Sequence, residues 1–175
     1  SGFLKDYSNL QEGTLFKQEY MPKGTSFLGY KTVKVAPVNL SYLDNESSCD
    51  IGDLENLARE FREDVEGQLK KGGFTATSDP SGHTLVISLA LTNIETPDRL
   101  FNVGITAASV VSPIPLPFDK DGKTAIEGKI TDGATGQVLM EFAEVRSGAG
   151  DQRSLKTLTI SKYQKFTNTK AVFAG

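Results

Sequence analysis

Tryptophan is absent from the 175 residues, and cysteine and histidine occur once each, as Cys49 and His83. A single cysteine closes no intrachain disulfide, which excludes a disulfide-stapled scaffold. One thiol and one imidazole also fall short of the nitrogen and sulfur ligands that a zinc site uses. No apolar run approaches the roughly 18 to 20 residues that a membrane-crossing helix needs, and the opening residues carry no signal-peptide pattern, so the stretch is expected to behave as a soluble domain. Excess positive charge is lacking as well. The formal charge is -3 and the isoelectric point near 5.2, against the basic surface of a general nucleic-acid binder. The charge is nevertheless uneven. From Arg146 onward six basic residues face Asp151 alone, a balance of +5 that leaves -8 for residues 1–145. A basic C-terminal face suits an anionic lipid, a glycan or an acidic partner, and equally a solvated surface that offsets the acidic remainder.

What is present reads as one α+β domain. The length suffices for one core, and 17 glycines with 7 prolines call for many turns without the enrichment of a disordered chain. Residues 1–29 mix aromatics with Gly, Lys and Pro in no sustained period, so they are expected as an extended arm anchored by Phe3, Leu4, Tyr7 and Leu10, ahead of a domain over 30–175. Tyr30–Leu40 reads as a strand that ends, bulges or lies at an edge by Pro37, which has no N–H to donate.

Leu54, Leu57, Ala58, Phe61, Val65 and Leu69 share one face at helical spacing, which predicts a helix over Leu54–Lys71. Asp53 is placed to cap it, Lys70 and Lys71 close it, and Gly72-Gly73 stop it. Thr84–Ile94 alternates as a strand with Leu85, Ile87, Leu89 and Leu91 on one face. Thr124–Thr131 and Gln137–Arg146 form a hairpin about the turn-forming Asp132–Gly136, and Ser154–Phe166 is expected as a short helix. The expected architecture is a mainly antiparallel sheet with the long helix on one face and a short C-terminal helix.

Chemistry-bearing patterns are sparse. A serine-histidine hydrolase would have to use His83, beside Gly82 in a turn, with no glycine-flanked serine elbow to accompany it. Asp119-Lys120-Asp121-Gly122-Lys123 begins like a calcium loop but lacks the third ligand before the glycine and the later glutamate. Gly148-Ala149-Gly150 continues into neither phosphate-binding glycine pattern. Glu63 with Asp64, and Glu141 with Glu144, are carboxylate pairs of a kind common among 22 acidic residues. Cys49 suits a small half-buried side chain better than an exposed thiol. Ile114-Pro115-Leu116-Pro117-Phe118 is the segment least explained as scaffold. Its prolines exclude a central strand, and Ile114, Leu116 and Phe118 either cover the sheet or meet a partner or membrane. No cofactor is implied.

Ser1-Gly2-Phe3-Leu4, followed by Asp6-Tyr7-Ser8 and Leu10, resembles the start of mature bacterial lipoproteins in the family called domain of unknown function 3313. Tyr30, Val33, Val35, Pro37 and Val38 resemble its first core strand, and Asp132-Gly133, Thr135-Gly136 and Val138-Leu139 its late hairpin. The Phe101–Phe118 stretch and the absence of a tryptophan near the C terminus depart from its pattern. The resemblance implies a lipidated cysteine directly before Ser1, a periplasm-facing position with the outer membrane as the expected anchor, and no catalytic residues.

The leading expectation is therefore an envelope lipoprotein of non-enzymatic type, a binding or structural module. Its partner, whether protein, lipid or glycan, is unidentified. One alternative is a carrier of lipid or glycan with its pocket between helix and sheet and Phe101–Phe118 as a flap. The other is a hydrolase of an envelope polymer that uses His83.

Overall fold

A computed structural model describes residues 1–13, 15–44, 51–95 and 123–147. Helix α1 (Ile51–Lys71) carries the expected stripe. Leu54, Ala58, Val65 and Leu69 are buried, and Leu57 and Phe61 are half-buried against the same core. Its start precedes the expected one by three residues, because Ile51 is 74% exposed and belongs to no apolar face. Asp53 thus lies inside the first turn instead of capping it, where its charge still complements the exposed N–H groups. The end follows the sequence. Phe74 N–H bonds the Leu69 carbonyl at 3.1 Å and Gly73 N–H the Lys70 carbonyl at 3.0 Å, with Gly73 at φ 93°. This is a Schellman stop, which needs a residue tolerant of the left-handed region.

Among the described residues seven strands form one sheet in the order β1-β2-β7-β6-β5-β3-β4. Three long neighbours, β5 (Thr84–Glu95), β6 (Lys123–Asp132) and β7 (Val138–Ser147), are antiparallel, as expected. Beside them β3 (Thr32–Val35) runs parallel to β5, and β4 (Thr75–Ala76) runs parallel to β3. The sheet is therefore mixed. Its parallel side arises because α1 lies between β3 and β4 in sequence and returns the chain to the starting end. The short C-terminal helix expected over Ser154–Phe166 lies outside the described residues.

Pro37 acts as the sequence implies. The β3 ladder stops at Val35, Ala36 N–H still bonds the Ile87 carbonyl at 2.9 Å, and pairing resumes only at Asn39, bridged to Ala90. On β5 the register slips between Leu91 and Asn93, so Thr92 is an extra residue and Ile94 returns to the buried face. Val33, Val35, Leu85, Ile87, Leu89, Leu91, Ile126, Ile130, Met140 and Phe142 join Leu54, Val65 and Leu69 in the core beneath the helix.

Residues 1–29, expected as an extended arm, also supply strands. β1 (Gln11–Glu12) pairs with β2 (Gln18–Tyr20), and β2 pairs with Glu141–Ala143 of β7. Before β1 the chain crosses the sheet with Leu4 buried and Phe3 and Leu10 half-buried, while the ring of Tyr7 is exposed. Leu4 belongs to a second apolar contact, on the face opposite α1.

One close approach fixes the sheet's helix side. Gly128 faces Phe142 across the β6–β7 ladder, and a Cβ at 128 would fall on the Phe142 ring, which itself stacks on Phe16 with centroids 3.8 Å apart. Gly128→Ala is expected to displace this aromatic pair and to lower stability by about 1–3 kcal/mol. Adding Phe142→Leu should restore part of the loss, since the two changes share a contact. Urea unfolding of the single and double variants measures both effects.

Candidate functional site

Among the described residues, four buried acids stand out, namely Glu127, Asp132, Glu141 and Glu144, because carboxylates rarely leave water without partners. Glu127 occupies the outer face of β6, since it alternates with the inward Ile126 and Gly128. Its Oε2 accepts a hydrogen bond from the Ser1 hydroxyl at 2.7 Å and from the Tyr7 hydroxyl at 2.8 Å. The Tyr7 oxygen in turn accepts from Gly2 N–H at 3.0 Å and Leu4 N–H at 3.4 Å, so the first seven residues close around it. Phe3 then meets Tyr42 edge-on at 5.4 Å, and the Lys129 ammonium lies 5.4 Å from the Phe3 ring centre.

Asp132 lies on the opposite face, at the end of the sheet that carries the β6–β7 turn. Its Oδ2 accepts from the Tyr30 hydroxyl at 2.7 Å, and its Oδ1 from the Thr135 amide at 2.7 Å and hydroxyl at 2.8 Å. These donors, Tyr30 first, hold the carboxyl down to about 2. Burial, and then the bond to Asp132 and its charge, push the Tyr30 hydroxyl up to about 12. The exposed His83 ring stacks on Tyr30 at 4.0 Å and 8°, close to Gly29. His83 therefore covers the ring of a tyrosine whose hydroxyl points at a carboxylate, and the imidazole itself bonds neither group among the hydrogen bonds of this cluster.

Glu144 accepts from Lys17 N–H at 3.1 Å and so ties the β1–β2 connection to β7. Glu141 and Glu144, paired in sequence, lie on opposite faces of β7, because residues three apart in a strand point apart: Glu141 pairs with Lys129 and Glu144 with Ile126. Glu63 is exposed on α1 and Asp64 half-buried. Neither pair converges on a common reaction centre.

No group of three or more His, Cys, Asp or Glu side chains able to hold a metal ion occurs among the described residues. No helix there is long and apolar enough to cross a membrane. Cys49, Ile114, Leu116, Phe118, Asp119–Gly122 and Gly148–Gly150 lie outside the described residues. Glu127 and the Tyr30–Asp132 pair were missed in the sequence. The only signal was an acid inside the apolar alternation of Thr124–Thr131, and its partners stand 120 and 126 positions away.

The pH behaviour follows from Asp132. Its folded value lies below the ordinary 3.8, so its contribution to stability is complete above 3.8 and is lost as pH falls through about 2. Tyr30→Phe should destabilise the protein at neutral pH and flatten the fall in Tm across that acid window. Thermal melts of both proteins from neutral pH down to pH 2 check this, and an unchanged acid slope would refute it.

No curated protein matches the chain. Among solved structures, a PelC dodecamer from Paraburkholderia phytofirmans is 12% identical with a TM-score of 0.47, over 85% of this chain and 94% of that one. The hypothetical protein CT253 from Chlamydia trachomatis is 11% identical at 0.40, over 82% and 95%. A minor lipoprotein from Acinetobacter baumannii is 10% identical at 0.26, over 82% and 94%. At scores and identities this low, none carries an assembly, a partner or a role over to this chain. The sequence family is a different matter, because the model described as "Protein of unknown function (DUF3313)" matches residues 1–169, opening motif included. The chain belongs to that family.

Proposed function

We propose that the chain is the periplasm-facing part of a bacterial envelope lipoprotein, held to the outer membrane by lipid on a cysteine directly before Ser1. In this reading it acts as a binding or structural module and not as an enzyme. The observation that carries the reading is the opening Ser1-Gly2-Phe3-Leu4 with Asp6-Tyr7-Ser8, which falls within the family match. The fold adds support, since Ser1 and Tyr7 are bonded to Glu127 and the opening motif is thus built into the domain.

The non-enzymatic reading is supported by the use to which the polar side chains are put. Glu127, Asp132 and Glu144 each hold another segment of chain, and His83 lies flat on Tyr30. The carrier alternative depended on a flap at Phe101–Phe118, outside the described residues, and no observation favours it.

Expression of the full-length gene in a bacterium fed labelled palmitate tests the tether. The label is expected in the protein, and the protein in the outer-membrane fraction. A product without label, recovered in the aqueous fraction, would defeat the proposal.

A further inference from the structure

We infer that the N-terminal segment is a rigid mount, which sets the outer face of the sheet around Ser1 against the bilayer surface. The inference rests on the lipid tether just proposed and adds to it an orientation and a contact surface. A tether of tens of residues would let a domain tumble above its membrane. With the anchor directly before Ser1 that slack is absent. Ser1 Oγ is 2.7 Å from Glu127 Oε2 in the middle of β6, and Tyr7 clamps the same oxygen at 2.8 Å. One acylated cysteine before Ser1 adds about 3.6 Å of backbone reach and the length of its side chain, so the Glu127 side of the sheet is held close to the headgroups.

The surface around this point has the chemistry of an interfacial contact. Tyr7 is 40% exposed, and Phe3 and Tyr42 are half-buried beside it. Their amphipathic rings suit the boundary between headgroups and acyl chains. Lys5 is exposed next to them and Lys129 lies over the Phe3 ring, while Asp6, Glu127 and Glu141 stand beside these lysines, so the rings and not a net charge make the contact. Helix α1 lies on the other face, so it points away from the membrane toward the periplasm. Its exposed side, with Glu55, Glu60 and Glu63, is the surface left open to partners.

The absence of tryptophan makes the orientation measurable. Two reporters are required, Tyr42→Trp beside the mount and Glu63→Trp on the far side of α1. Each is placed in the full chain carrying a lipidated cysteine before Ser1, and reconstituted in phosphatidylcholine–phosphatidylglycerol vesicles with brominated acyl chains. Where the cell does not acylate the protein, a maleimide lipid on that cysteine in a Cys49→Ser background replaces the natural anchor, so failure of the tether and failure of the mount are read separately. Bromine quenching is expected to be several-fold stronger at position 42 than at 63. Tyr7→Phe and Glu127→Gln should each bring the two positions toward equal quenching. In the chain without lipid, Tyr7→Phe should speed amide exchange at Gly2 and Leu4 several-fold. Equal quenching in the parent protein would overturn the inference. So would a difference that survives both variants, or exchange at Gly2 and Leu4 that is fast from the outset.

Discussion

The contact on which the fold depends is the burial of one stripe of α1 against the parallel pair β3 and β5. Val33 sits between Leu85 and Ala76 and Val35 beside Ile87, and both are almost wholly removed from water. Each fully buried aliphatic side chain at such a seam is worth about 1.5–3 kcal/mol. A four-residue strand has too little ladder to hold its place alone, so β3 is kept there by the helix above it. Arg62 adds a directional tie, its Nε donating to the Val35 carbonyl at 2.9 Å. That bond accepts the helix where the strand's own ladder runs out before Pro37.

Around this seam the protein uses carboxylates as fasteners. Glu127 gathers the N-terminal loop, Asp132 gathers Tyr30 and the β6–β7 turn, and Glu144 takes the amide of Lys17. A charged acceptor makes stronger hydrogen bonds than a neutral one, and a buried acceptor is costly to leave unpaired. Each acid therefore specifies where a distant stretch of chain must lie. This use of acids accounts for buried carboxylates at three separate places in the sheet.

How much of this was legible depended on distance along the chain. The stripe from Leu54 to Leu69 and the Gly72-Gly73 stop declare α1, because helix periodicity and termination are local. Turn chemistry at Asp132–Gly136 likewise declared the hairpin, with Gly136 at φ 71° and Asp132 bonding Thr135. The two- and three-residue strands β1 and β2 were not legible, since so few residues show no alternation. Nor was the parallel pairing of β3 with β5, which the core decides and the strand does not. The turn position of His83 beside Gly82 is local and legible, whereas its stacking on Tyr30 joins two segments more than fifty residues apart. The Glu127 clamp was hidden for the same reason.

Among the described residues, the outermost strands of the sheet, β1 and β4, are two residues long each. A strand so brief offers an incoming peptide almost no template for backbone pairing, which is how natural sheets discourage lateral fusion. Two copies meeting at these edges would then touch through side chains instead of zipping strand to strand. Blunt borders of this kind leave association between molecules to side-chain surfaces.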